Sequence, residues 1–154
     1  MSTSPTTLRA ATRNDLSMIE DLMRQFYSHF KYHFREPGQR QLIERFISTE
    51  HLGSMWLIEA AQRTIGYAAM TYGYSFEFGG RDAFVDELFV IPELRGQGHG
   101  AAALLALQAR AAELGLIAIH LQTESYNQRA KRMYESVGFT DLSRSTLTWR
   151  LGEL

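Results

Sequence analysis

From Leu16 onward, apolar residues return every three or four positions. Leu16, Ile19, Leu22, Met23 and Phe26 line one side of a predicted helix reaching about Tyr32. Asn14 or Asp15 can cap it, because a side-chain oxygen there accepts backbone N–H groups that have no partner in the first turn. Pro37-Gly38 breaks the pattern, and Leu42, Ile43, Phe46 and Ile47 restore it in a second helix over 39–49. The period then changes. The runs 54–60, 64–78 and 83–91 read as strands, with Gly79-Gly80 as a hairpin turn between the last two. The run 83–91 is apolar on both faces, which predicts a buried central strand. After Pro92 and a glycine-rich turn, Leu104, Leu107, Ala111 and Leu114 mark a helix from about His99 to Leu114, stopped by Gly115. Ile117, Ile119 and Leu121 alternate as a strand. Residues 127–137 form a helix ending at Gly138, and 139–142 with 145–151 read as a final hairpin. The order β-α-α-β-β-β-α-β-α-β-β is that of a mixed α/β domain, expected over 6–151 with 1–5 as a flexible N-terminus.

Composition narrows the chemistry. At 154 residues there is room for one domain, and it is long enough to bury a core without staples. The chain has no cysteine, which excludes a disulfide framework, a thiolate zinc site and a cysteine nucleophile. A formal net charge of −1 gives no whole-protein attraction to nucleic acid or anionic lipid. No apolar run approaches the roughly 18 residues of a membrane span, and Met1–Thr7 lacks a charged and then apolar leader. A soluble, cytoplasmic protein is expected. His29 and His33 are one helical turn apart, but the residues between them are Phe30, Lys31 and Tyr32 and no third ligand is evident, so no metal is expected.

The turn Arg95-Gly96-Gln97-Gly98-His99-Gly100 carries the most information. It joins a strand to a helix N-terminus, where free N–H groups and the helix dipole favour an anion. Arg95 stands at its rim as a fixed cation. No Lys-Ser/Thr follows, so it is not a P-loop, and it is not the dinucleotide fingerprint G-x-G-x-x-G.

This turn resembles the Q/R-x-x-G-x-G/A motif of the GNAT superfamily of N-acetyltransferases, and Leu88-Phe89-Val90-x-Pro92 resembles the strand leading into it. Asn127-x-x-Ala130-x-x-x-Tyr134-Glu135-x-x-Gly138-Phe139 resembles the second signature, in the expected order and separation. The resemblance covers residues 6–151 and leans toward the histone and polyamine acetyltransferase branch. It implies a mixed sheet of about six or seven strands with helices on both faces, and acetyl-CoA held as co-substrate between the splayed strands 83–91 and 117–123. Pantetheine amides would then pair with the backbone of Leu88 and Val90. The pyrophosphate would sit on Gln97 through Ala101, with Gly98, His99 and Gly100 contributing backbone and Arg95 and Gly96 opening the turn. Asn127 would bond the pantetheine arm.

Acetyl transfer to an amine needs a base for the ammonium and an acid for the leaving thiolate. Tyr134 shares a helix face with Ala130, Met133 and Val137, and the family motif makes it the candidate acid. Asp86 and Glu87 are the candidate bases, since two carboxylates inside an apolar strand are costly to bury unpaired. Strict alternation sends them to opposite faces, Asp86 with Leu88 and Val90 and Glu87 with Phe89, unless a bulge intervenes. By position in the family, Asp86 is favoured. Ion pairing of both with arginine or lysine is the structural alternative.

The acceptor is expected to be a primary amine, a small polyamine, diamine or lysine-type amine, facing the aromatic residues 26–34 and Tyr72, Tyr74, Phe76, Glu77, Phe78 and Asp82. A non-catalytic acyl-CoA-binding sensor is the alternative. Trp149 in a last strand fits a homodimer contact.

Overall fold

In the computed structural model, residues 4–152 are described. The expected flexible N-terminus therefore lies in part, at residues 1–3, outside the described residues. The chain forms two compact units, 1–122 and 123–154.

The first unit holds β1 (Thr7–Ala10), α1 (Leu16–Phe30), α2 (Gln39–Ile47), β2 (Gly53–Ala60), β3 (Arg63–Ser75), β4 (Gly80–Val90), α3 (His99–Glu113) and β5 (Ala118–Leu121). The second holds α4 (Gln128–Ser136). The strands pair in the order β1-β2-β3-β4-β5, antiparallel up to β4 and parallel between β4 and β5. The parallel pair needs a crossover, and α3 supplies it. Residues 55–58 of β2 and 65–70 of β3 are buried without interruption, so both sheet faces are covered. Helix α1 packs on the face that carries Tyr67, and α3 packs against β1, β4 and β5. Ile19, Leu57, Ile58, Ile65, Tyr67, Met70, Leu104 and Leu107 form the fully buried core. Gly66 lets β3 lie close on β4: a Cβ there would stand 1.9 Å from the Phe89 carbonyl oxygen.

Two sets of expectations are corrected, the first on the extent and burial of the strands. The sheet has five strands among the described residues, not six or seven, because 139–142 and 145–151 carry no strand. In the first of these runs the Asp141 side chain accepts the Ser143 backbone N–H at 2.7 Å, and Ser143 has φ +57°. That local turn competes with an extended strand. In the second run, alternation makes a strand compatible but supplies no ladder partner. Strand β4 is also not buried throughout, since Phe84 is 44% exposed.

The second correction concerns alternation along β4. Ala69 pairs with Glu87, yet Met70 pairs with Val85, so Asp86 is an extra residue opposite no partner. It is a β-bulge. Before it, Asp82 lies opposite Gly73 and Phe84 opposite Thr71; after it, Glu87 lies opposite Ala69 and Phe89 opposite Tyr67. All four β3 partners are odd-numbered and share one face. Asp86 continues the series 82, 84, and Glu87 begins the series 87, 89. The bulge therefore brings Asp86 and Glu87 to the same face, and Asp86 does not share the face of Leu88 and Val90.

Candidate active site

Pairing between β4 and β5 runs from Asp82–Ala118 to Val85–Leu121 and stops at the bulge. Beyond it β4 continues to Val90, while β5 ends at Leu121. Ile91 N–H donates to the Ile65 carbonyl at 2.8 Å, toward β3. By alternation, Leu88 and Val90 turn their backbone groups to the opposite, open edge. There the Val90 carbonyl accepts from Arg95 Nε at 2.9 Å, and the Arg95 guanidinium lies 5.3 Å from the Phe89 ring centroid. Arg95 thus braces the end of the strand from the rim of the turn.

Gly96 and Gly98 have φ of +76° and +87°, and Gly98 is the N-cap of α3. A Cβ on Gly98 would meet nothing within 4 Å, so conformation and not space demands glycine there. The first described intrahelical bond here is Ala102 N–H to the Gly98 carbonyl at 3.0 Å. Helix geometry leaves the N–H groups of His99, Gly100 and Ala101 without an intrahelical carbonyl. The His99 ring is buried, and its Nδ1 lies 2.9 Å from Thr6 Oγ1, which ties the start of α3 to the residue before β1. Gln97 is exposed, its amide 3.4 Å from the Glu93 carbonyl.

Glu87 is held at both of its carboxylate oxygens. Its Oε2 accepts from the Tyr27 hydroxyl at 2.7 Å and its Oε1 from the Tyr67 hydroxyl at 2.8 Å. Burial pushes its pKa up to about 7. The two hydroxyls pull it down, and the Asp86 charge adds to the rise. Asp86 is exposed at its rim, and the part-buried setting of its carboxyl pushes its pKa up as well. Glu87 is thus held by two phenolic hydroxyls.

The pKa of Glu87 has a stability consequence. An unfolded chain releases this proton near 4.5, the folded one near 7. Between these values the folded form holds more protons, so stability falls as pH rises from 4.5 through 7 and stays lower above. The gap corresponds to about 3 kcal/mol at most. In urea melts at about pH 5 and about pH 8, Glu87→Gln is expected to show a clearly smaller loss than the parent. Equal losses in the two proteins would contradict it.

Elsewhere on this face, buried Asp82 faces His120 Nε2 at 3.0 Å, and the His120 ring lies 5.0 Å from both Phe78 and Phe84. His120 is thus a satisfied histidine. Tyr74, Phe76 and Phe78 are exposed, at 68%, 95% and 41%. Phe26 packs edge-on with Tyr27, Phe30 and Tyr32, Phe34 packs edge-on with Tyr27, and Phe30 stacks on Tyr32, so these rings pack on one another. His29 and His33 are exposed, and no group of three metal-ligating side chains occurs among the described residues. No helix among them is long and apolar enough to cross a membrane.

In the second unit the Asn127 side chain caps α4, accepting from Ala130 N–H at 3.1 Å. Tyr134 is half-buried with its ring edge-on to Phe139 at 6.2 Å, and burial raises its pKa. Lys131 pairs with Asp141 at 2.7 Å.

Sequence reasoning placed Tyr27 among the acceptor aromatics and passed over Tyr67. The signal for Tyr67 is a bulky hydroxyl among the small residues Gly66, Ala68 and Ala69 of β3, beside a strand carrying two acids.

Residues 16–139 match the profile of the Acetyltransferase (GNAT) family. An uncharacterized N-acetyltransferase, YhfO of Bacillus subtilis, is 28% identical over 137 residues, covering 87% of this chain and 89% of that one. Thialysine N-epsilon-acetyltransferase of Bos taurus is 30% identical over 81 residues, covering 53% of this chain and 47% of that one. An uncharacterized N-acetyltransferase of Mycobacterium tuberculosis is 34% identical over 90 residues. The chain spans about half the length of these last two relatives. Among solved structures, an integron cassette protein from a salt-marsh metagenome superposes with a TM-score of 0.84 at 30% identity, covering 96% of this chain and 91% of that one. AAC(6')-Iy, solved with a CoA-linked bisubstrate analogue, superposes with a TM-score of 0.81 at 17% identity, covering 97% of this chain and all of that one, and supports the fold alone. A strand that outruns its neighbour beside an N–H-rich turn is thus joined by a family match across most of the sequence: the chain belongs to the GNAT family of acetyl-CoA-dependent N-acetyltransferases.

Proposed function

We propose that residues 6–151 act as one domain that moves an acetyl group from acetyl-CoA to a primary amine by direct attack. The observation that carries this reading is the bulge at Asp86. At one point of β4 it ends the pairing with β5 and sets two carboxylates on one face. Pantetheine runs along the open edge at Leu88 and Val90, with the CoA pyrophosphate on the backbone of Gln97 through Ala101. Asn127 bonds the pantetheine arm. Glu87 takes the proton of the acceptor ammonium, directly or through water, and Asp86 attracts the cation. The amine nitrogen then attacks the thioester carbonyl, the C–S bond breaks, the leaving thiolate takes the Tyr134 proton, and the second proton that the nitrogen sheds as the amide forms returns to the Tyr134 oxygen, directly or through water. The roles of Tyr134 and Asn127 rest on the family motif.

A small polyamine, a diamine or a lysine-type amine is the acceptor we favour. Support comes from the exposed Tyr74, Phe76 and Phe78 beside acidic groups, and from a relative named for thialysine. The test is thiol release from acetyl-CoA with spermidine, diamines, lysine, a histone-tail peptide and an aminoglycoside. A cysteine-free protein gives no thiol background. Release with one amine class supports the reading and selects the acceptor. Acetyl-CoA binding by calorimetry with no release from any amine favours the sensor alternative.

The turn makes a separate prediction. Gly98→Ala places a Cβ in open space but holds alanine at φ +87°. The expected cost is about 1–2 kcal/mol of stability. Acetyl-CoA KM is expected to rise severalfold, because the turn would relax away from the ligand. A KM unchanged in a folded variant would remove the turn from the binding site.

A further inference from the structure

We infer that Tyr27 and Tyr67 are positioning residues: one hydroxyl on each oxygen fixes the Glu87 carboxylate in a single orientation, so that α1 and β3 together set the base. The inference rests on the reading of Glu87 as base.

A carboxylate held at one oxygen still swings about its terminal torsion. Here Tyr27 donates to Oε2 at 2.7 Å and Tyr67 to Oε1 at 2.8 Å, so both oxygens are tethered. Each keeps a further acceptor site for an ammonium or a water. The tethers are themselves braced. The Tyr67 ring is fully buried, 6.5 Å from Phe26 and 6.1 Å from Phe89. The Tyr27 ring lies 5.8 Å from Phe26, 5.8 Å from Tyr32 and 5.9 Å from Phe34. Phe34 in turn sits 4.2 Å beneath the Arg24 guanidinium, which also pairs with Glu36. The segment following α1 is therefore linked through Tyr27 to the carboxylate.

Both phenols remain donors. Burial raises their pKa values, and the Glu87 charge raises them further. The groups facing Glu87 are Asp86 from its own strand, Tyr27 from α1 and Tyr67 from β3. Helix α2 contributes the uncharged Gln39, which contacts the Tyr27 hydroxyl. Asp86 disfavours the carboxylate and the two hydroxyls favour it. Deleting either hydroxyl therefore has one sign: the carboxyl becomes harder to ionise.

The test compares Tyr27→Phe and Tyr67→Phe with the parent. Titration of the Glu87 carboxyl is followed by carbon NMR in protein labelled at glutamate side chains, with Glu87→Gln identifying the resonance. The pH profile of kcat/KM is recorded beside it. Each variant is expected to raise the Glu87 midpoint by about one pH unit and to carry the acid limb of the profile with it. Activity then falls roughly tenfold near pH 6 and recovers to within about threefold by pH 9. A midpoint unmoved in both folded variants overturns the positioning role while leaving the base assignment standing. A midpoint that moves without the limb overturns the base assignment itself, and with it any role of the two hydroxyls in the reaction.

Discussion

Replacing Glu87 with glutamine is expected to lower kcat by about 100–1,000-fold, the range over which a positioned general base contributes. The substitution keeps the shape of the side chain and the acceptor for one of the two tyrosine hydroxyls. It removes the capacity to take a proton. The parent should gain activity as pH rises through about 7, because that is where the buried carboxyl ionises. Only the ionised form accepts the ammonium proton. In Glu87→Gln this limb should vanish, and the residual rate should follow the ionisation of the free amine. Asp86→Asn separates the two acids. Asp86 is exposed, so its loss should weaken attraction of the cation and cost under about tenfold, mostly in KM. Steady-state rates of both variants across pH decide the assignment. A large kcat loss in Asp86→Asn with a mild one in Glu87→Gln would transfer the base role to Asp86.

Much of this arrangement was legible in the residues, and the exceptions have physical causes. Helix α1 is found where Leu16, Ile19, Leu22 and Met23 predict it, and all four are buried. Helix α3 starts at His99 after the glycine turn, as its periodicity indicates. The paired acids of β4 stood out because burying unpaired carboxylates is costly. Their common face could not be read, because it depends on a one-residue mismatch with β3. Bulges are set by pairing, and pairing is a property of two strands at once. The same limit explains Tyr67. Nothing local to β3 says that its hydroxyl meets Glu87; the register Ala69–Glu87 and Tyr67–Phe89 says it. The final hairpin was overread for a related reason. Alternation over 145–151 describes one strand's faces and leaves its partner unspecified. His99 shows the reverse case. Its place in the turn marked only its backbone, while its ring has a structural task against Thr6.

Tyr134→Phe is the second substitution from which a large effect is expected, a loss of about 100-fold in kcat with acetyl-CoA affinity changed by less than about twofold. A thiolate of ordinary thiol pKa, about 8.5, is a poor leaving group at neutral pH unless a proton or a donor meets it. Tyr134 suits that role, because burial raises its pKa and keeps the hydroxyl protonated through the working range. The ring packs edge-on against Phe139, and phenylalanine preserves that contact, so the variant should fold and bind as the parent does. The effect should depend on the thiol. An acetyl donor whose thiol is more acidic needs less help to leave, so the gap between parent and variant should narrow with it. A hydroxyl with only a packing role would give the same ratio for both donors. Measuring kcat for acetyl-CoA and for an acidic-thiol acetyl donor, with acetyl-CoA affinity determined by calorimetry, separates these outcomes. Turnover undiminished in Tyr134→Phe would remove the tyrosine from the chemistry and leave protonation of the thiolate to solvent.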